Sequence, residues 1–562
     1  MDARTYPGRG LSLLQLAFSL NEELKRTASS SPITLDQVSQ LDNEISAALA
    51  TIRERRNTFS HINRLPFDIL SLIPIHLPSQ KDRFRASFVC RHWRRTFLQR
   101  AELWSELVLS KGEDYVKTLL ERAKGSQLVV NVGRSGHQKV PTSTMSLLSP
   151  HTNQIRDLGF AHHGWADIQA FMDINPGPFP LLDTLTFDLA IQGRLGISGV
   201  MVPPSTRLFS TAVNLKNFCF YTTPAWAPPL SHFVFPNLVV FDFTVRPWEP
   251  FCALQLLDFL ETSPMLQRLK MNIMASISLH GIPQERVVVL PNVKDIDVTV
   301  TYIDPGYEIA TYISCPSVAS MVLTLKEGSD TMISEGIFPT PDLWNTIIRQ
   351  YTRSPVEELT LSLNTIDFVT CTLNLRTSDA TVIELCLVVK TYGEDNNEVH
   401  HEVFTEATNT ILDYHQLANV KRVSICHNYD CLDTTPTTHI SNEAGRLFKS
   451  LGPLDELTIY RCDAQPYSRF FLSTLEGHPE EPAVFPPIKK LTISHPMCQS
   501  DEAFTATVLG LARSRNALGV PFESLLVRAG GLPAEFEAEL RPWVGNVEYC
   551  YEELDEELDD EY

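Results

Sequence analysis

Residues Ile62 to Leu107 read INRLPFDILSLIPIHLPSQKDRFRASFVCRHWRRTFLQRAELWSEL, a run that opens on a Leu-Pro pair and ends rich in tryptophan and arginine. Pro66 sits where a helix can start, because the N–H it lacks would have no partner in the first turn. Asp68 places negative charge at the positive end of that helix. Ile69, Leu70, Ile73 and Leu77 follow at helical spacing, and Pro74 must kink or end the helix they share. Pro78 and Ser79 mark a break. A second helix is predicted over Asp82 to Cys90. A third is predicted around Arg91, Trp93, Arg94 and Phe97, with Leu103 and Trp104 closing the unit. Three short helices in roughly 45 residues bury few side chains on their own. A surface around Leu65, Pro66, Ile69 and Leu70 is therefore expected to stay partly exposed, which suits docking into an apolar groove.

Upstream, Ser31 to Phe59 reads as one long helix. Thr34 and Gln37 make a capping-box pattern at its start. Val38, Leu41, Ile45, Ala48 and Ile52 recur at alternating spacings of three and four, a short heptad seam. Two readings fit this seam: a helix packed on the module that follows, or a short dimerising coiled coil. Leu11 to Leu20 is broken by Ser12, Gln15 and Ser19 and reads as an amphipathic helix, not a signal peptide.

The whole chain is acidic, with a net charge of -20 over 562 residues, which argues against nucleic acid as the main partner. Much of that charge is local: nine of the last fifteen residues, Glu548 to Tyr562, are Asp or Glu. Residues 548–562 are expected to be a solvated, disordered tail. No apolar run is long enough for a membrane span. Eleven scattered cysteines do not form a disulfide framework, so a reducing compartment, cytoplasm or nucleus, is expected.

Beyond residue 111 a different pattern takes over. An apolar residue followed by others at +3 and +5 recurs thirteen times, from Ile155-Leu158-Phe160 to Phe522-Leu525-Val527. The +3 and +5 positions share one face of a short strand, and the first residue anchors the turn into it. Prolines precede many of these triplets, at Pro180, Pro236, Pro291, Pro316 and Pro486. A strand entry tolerates proline because it needs no ladder donor there. Helix-like segments lie between triplets, most clearly Phe251 to Glu261, Asp342 to Tyr351, Ser441 to Leu451 and Asp501 to Arg513. Stacked strand-plus-helix units make an α/β solenoid with a parallel sheet over residues 111–547. Residues 367–414 fit the period poorly, and their two β-rich stretches read equally as an extra hairpin.

Motifs of catalysis are lacking: there is no Gly-x-Ser-x-Gly, phosphate loop or His-Glu-x-x-His. Cys426, His427 and Cys431 have the wrong spacing for a zinc site. Neither a metal nor a cofactor is expected, and the chain reads as a non-enzyme.

The module at 61–110 resembles the F-box. The residues that carry the resemblance are Leu65, Pro66, Asp68, Ile69 and Leu70, then Val89, Cys90, Trp93 and Arg94, then Leu103 and Trp104. The departure is Pro74, which is expected to distort the end of the first helix beyond the docking face. The triplets resemble divergent leucine-rich repeats, whose usual Asn or Cys at +8 is met only by Asn364, Asn428 and Cys462. The combination resembles substrate receptors of SCF ubiquitin ligases, in particular F-box families of mushroom-forming fungi that share the preceding helix.

The resemblance implies docking on an Skp-type adaptor, and through it a cullin ligase, by Leu65, Pro66, Ile69, Leu70, Ile73, Leu77, Val89, Cys90 and Trp93. The repeats would then bind a target protein. The alternatives are a scaffold that uses both parts without ubiquitin transfer, and a self-associating structural protein that uses the N-terminal coil. On the concave face of such a solenoid, Arg422, Tyr460, Lys490 and Arg528, with Arg461 and His495 beside them, are expected to form a basic and aromatic ridge for an acidic or phosphorylated segment. The chain's own acidic tail is a second candidate for that ridge.

Overall fold

The computed structural model describes residues 34–77, 79–133, 140–161, 165–189, 209–222, 230–245, 251–274, 277–283, 285–300, 306–326, 351, 354–364, 368–380, 382–390, 408–409, 412, 417–428, 446–460, 486–495, 502–529 and 535–550, with Glu22, Lys25 and Arg26. The segment Leu11 to Leu20 and most of the helix expected over Asp342 to Tyr351 lie outside them. The chain divides into two compact units, Met1–Glu106 with Thr118–Ser126, and Leu107–Lys117 with Gln127–Tyr562.

The first unit begins with helix α1, Leu35–Thr58. The expected capping box is present: the Gln37 N–H donates to Thr34 Oγ1 at 3.4 Å, and the Thr34 N–H donates to Gln37 Oε1 at 3.1 Å. Helix α2, Phe67–Leu72, stops before Pro74 and passes into a 3-10 turn, Ile73–His76, in which Pro74 is buried. Helix α3, Gln80–Ser87, starts two residues earlier than the predicted Asp82 because Ser79 caps it. The Ser79 hydroxyl accepts from the Asp82 N–H at 3.1 Å and donates to its carboxylate at 2.6 Å. That contact, chiefly, holds the Asp82 carboxyl below its usual range. Helix α4, Arg91–Gln99, and a 3-10 turn, Ala101–Trp104, complete the helical part.

Seventeen strands form one sheet among the described residues. They are β1 (Glu106–Val108), β2 (Leu128–Asn131), β3 (Ile155–Ala161), β4 (Thr184–Asp188), β5 (Asn217–Thr222), β6 (Val240–Val245), β7 (Arg268–Ile273), β8 (Asp295–Val300), β9 (Ser320–Lys326), β10 (Val356–Asn364), β11 (Phe368–Thr377), β12 (Val382–Lys390), β13 (Arg422–Asn428), β14 (Leu454–Tyr460), β15 (Ile488–His495), β16 (Ser524–Ala529) and β17 (Asn546–Cys550). From β2 to β9 each strand lies parallel to the next in chain order, and the same holds from β13 to β17. Helix α5, Ala253–Glu261, and helix α6, Glu502–Ala517, occupy the connections where the sequence pattern placed them.

The middle of the sheet breaks chain order. Strand β9 pairs with β12, which runs antiparallel to β11, which runs antiparallel to β10; β10 then pairs parallel with β13. Residues 367–390 therefore contribute an antiparallel insertion, the hairpin alternative of the sequence pattern. Here one triplet is out of register. Leu323 pairs with Leu385 and Met321 with Ile383, so Val382 falls two residues ahead of the core rows and is exposed. A shift of two keeps the faces of the strand, and the buried Leu375 of β11 pairs with the buried Leu359 of β10. At the C-terminal end, β17 extends to Cys550, so residues 548–550 are sheet and do not belong to the acidic tail.

The buried rows change chemistry along the sheet. Over β3 to β6 the +5 row is phenylalanine and the +3 row passes from Leu158 and Leu185 to Phe218 and Phe241, with rings in contact: Phe160 on Phe187 at 5.3 Å, Phe218 on Phe241 at 5.6 Å, Phe220 on Phe243 at 6.1 Å. From β7 onward the rows are aliphatic or methionine, as at Leu269, Met271, Ile296 and Val298.

Several strand entries repeat one turn. The N–H of the anchor residue bonds the carbonyl three residues earlier, as Leu182 to Phe179, Leu238 to Phe235, Leu266 to Ser263, Val293 to Leu290 and Val318 to Cys315. Proline stands at the second position of those turns, at Pro180, Pro236, Pro264, Pro291 and Pro316, where its fixed φ favours a β-turn. At three entries an asparagine before the anchor ties the turn to the previous one. Asn214 donates to the Pro180 carbonyl at 2.8 Å, Asn237 to that of Val213 at 2.8 Å and Asn292 to that of Pro264 at 2.9 Å. At Pro486 the same carbonyl position is served from a helix, by the buried Arg515 of α6 at 2.9 Å.

The aromatic rows lead to one expectation. Phe218 is fully buried and in ring contact with six other phenylalanines. Phe218→Ala should cost about 3–5 kcal/mol of stability. Chemical denaturation followed by far-UV circular dichroism measures it, and a loss under about 1 kcal/mol would contradict the packing described.

Candidate functional site

The helical unit holds its shape through two tryptophans. Trp93 of α4 is almost fully buried, lies 5.4 Å from Phe97 and donates from Nε1 to Asn63 Oδ1 at 2.7 Å. Asn63 in turn donates to the Asn57 carbonyl at the end of α1, at 2.7 Å. One side chain thus ties the long helix to α4. Trp104 donates to the Phe97 carbonyl at 3.0 Å, packs edge-on against Phe84 at 5.3 Å, and carries the Arg122 guanidinium 4.8 Å from its ring centre.

This core sorts the residues singled out in the sequence. Leu70 is fully buried and Trp93 nearly so, which makes them core residues and not surface. Leu65, Ile73, Leu77 and Cys90 are half-buried. Pro66, Ile69 and Val89 are exposed, Ile69 at 49% and Val89 at 62%. Ile69 and Leu70 part company because successive helical residues point about 100° apart. The sequence reading missed Phe67, Ile75 and Phe88, which are also exposed, Phe88 at 68%. The Arg94 guanidinium lies 5.4 Å from the Phe88 ring centre. Apolar side chains are thus left in water around a small core.

The arginines of this unit do not act as one cluster. Arg83 pairs with Glu106 at 3.2 Å, Arg85 with Asp82 at 3.3 Å and Arg91 with Glu54 at 3.5 Å. Ala50, Arg53, Glu54 and Asn57 of α1 face a cleft of about 510 Å³ whose other wall is formed by Asn63, Val89, Cys90, Arg91, His92 and Arg95.

On the sheet, the basic ridge is corrected to an alternating ladder. In a parallel sheet, residues in register sit about 4.8 Å apart. Glu358, Arg422, Glu456 and Lys490 share one register row across β10, β13, β14 and β15. Arg422 therefore lies 3.6 Å from Glu358, and Lys490 lies 2.9 Å from Glu456. Arg268–Asp295 and Lys270–Asp297 repeat this across β7 and β8, at 3.7 and 3.4 Å. Tyr460 is exposed, and Arg528 is half-buried. Arg461, Cys431 and the side chains of His495, Cys426 and His427 lie outside what the structure describes. Farther along the face, Tyr221 donates to Asp242 at 2.9 Å; burial and that carboxylate together hold its phenol well above the usual range.

Among the described residues no group of His, Cys, Asp and Glu is placed to hold a metal ion. No described helix is long and apolar enough to cross a membrane. The model of the F-box-like family matches residues 62–110. No curated protein matches the chain. The chain thus carries an F-box-like domain, and its docking list from sequence divides into a core set and an exposed set.

Asn63→Ala leaves the indole N–H of Trp93 buried without its partner, and should cost about 1–3 kcal/mol. Thermal unfolding of the chain followed by tryptophan fluorescence measures this; an unchanged first transition would show that Asn63 does not hold the unit together.

Proposed function

We propose that this chain is a substrate-recognition subunit of an SCF-type ubiquitin ligase. The observation that carries the reading is the exposed apolar set of the F-box-like domain, Pro66, Phe67, Ile69, Phe88 and Val89, raised on a core of Leu70, Trp93, Phe97 and Trp104. F-box domains generally bind Skp-type adaptors, and such an apolar set suits a helical groove on one. The sheet is read as a divergent leucine-rich-repeat-like solenoid. The runs of parallel strands in chain order, the turn shared by several strand entries and the buried rows beneath them support that reading. The polar face of the strands, with its alternating charges and Tyr460, is the surface proposed for the target protein. The chain itself does no chemistry in this reading; it brings a target to a cullin ligase bound through the adaptor.

Full-length protein with Ile69→Asp and Val89→Asp should lose binding to an Skp-type adaptor by roughly thirtyfold or more, because a desolvated apolar anchor contributes about 2 kcal/mol or more. Both residues are exposed, so the melting temperature should stay put. Isothermal titration reads the affinity; wild-type protein that does not bind the adaptor would sink the proposal. Wild-type binding with no ubiquitin transfer to any co-purified target in a reconstituted ligase would leave only the scaffold role.

A further inference from the structure

Helix α1 carries an apolar face that its own unit does not use. Val38 is 51% exposed, Ile45 40%, Leu49 45% and Ile52 41%, with Leu41 half-buried between them. Taking about 100° per residue, these five side chains centre on one direction around the helix. Ala50, Arg53, Glu54 and Asn57, which face the cleft against the F-box-like domain, centre roughly 130° away by the same count. The seam therefore points away from the unit that α1 is tied to through Asn63.

Charge is segregated along the same helix. Its first half, residues 35–46, holds Asp36, Asp42 and Glu44 and no basic residue. The second half, residues 47–58, holds Arg53, Arg55 and Arg56 against Glu54. A second copy laid parallel would set the acidic half on the acidic half. A second copy laid antiparallel sets acidic on basic at both ends. The apolar positions match in that antiparallel register as they would in a parallel one, so charge decides between them: Val38 meets Ile52 of the other copy, Leu41 meets Leu49, and Ile45 meets Ile45 on the two-fold axis.

We infer that α1 is a homodimerisation helix that pairs antiparallel with a second copy of this chain, centred on Ile45. This inference stands apart from the ligase reading, since it uses a face that the F-box-like domain leaves free.

The test uses full-length protein. Sedimentation equilibrium should give a dimer, and Ile45→Glu should raise its dissociation constant at least tenfold. Circular dichroism confirms that the helix content survives. Oxidative cross-linking of Ile45→Cys should then link two copies through residue 45. The tryptic peptide spanning residues 27–53 contains no natural cysteine, so mass spectrometry assigns that link without background from the eleven natural thiols. Val38→Cys alone should not self-link, because residue 38 of one copy lies about 21 Å along the axis from residue 38 of the other. A monomeric wild type overturns the inference. So does a dimer in which Ile45→Cys fails to link, or one in which Val38→Cys links as well, the mark of a parallel pair.

Discussion

The parallel register of the long sheet is the constraint on which the larger unit rests. Once each strand lies beside its chain neighbour in register, the +3 and +5 residues of every turn fall into two continuous rows. Those rows must be apolar along their whole length. Phenylalanine fills one row from Phe160 to Phe243 and joins the other at Phe218, and aliphatic residues with Met271 follow from Leu269. The same register decides the opposite face. Acids and bases placed singly along the chain become cross-strand neighbours, as Glu358, Arg422, Glu456 and Lys490 do. Exposed pairs of this kind contribute little stability each. What they set is the pattern of the face, which carries alternating sign in place of a basic field.

Register is held at the strand entries as much as in the ladder. Proline fixes the backbone of the turn, and an asparagine amide or the Arg515 guanidinium satisfies the carbonyl that the turn leaves open. Asparagine at positions 214, 237 and 292 thus stands just before the strand it introduces.

The helical unit follows a different logic. It is too small to bury all its apolar residues, so it divides them. Leu70, Trp93 and Trp104 make the core, and Pro66, Ile69, Phe88 and Val89 remain exposed. Among the described residues helix α1 is tied to this unit by Asn63 and by the Arg91–Glu54 pair, and its apolar seam lies on another face.

The sequence by itself determined the strands, the helix starts and the F-box-like domain, because those depend on spacing, proline and capping between residues near in the chain. Thr34 with Gln37, the stop before Pro74 and the prolines of the strand entries were legible for that reason. The burial of Leu70 beside the exposed Ile69, the role of Asn63, the two-residue offset at Val382 and the pairing of Arg422 with Glu358 were decided by the tertiary structure. Each depends on which distant segment lies alongside, and a local pattern is the same whichever neighbour the fold provides.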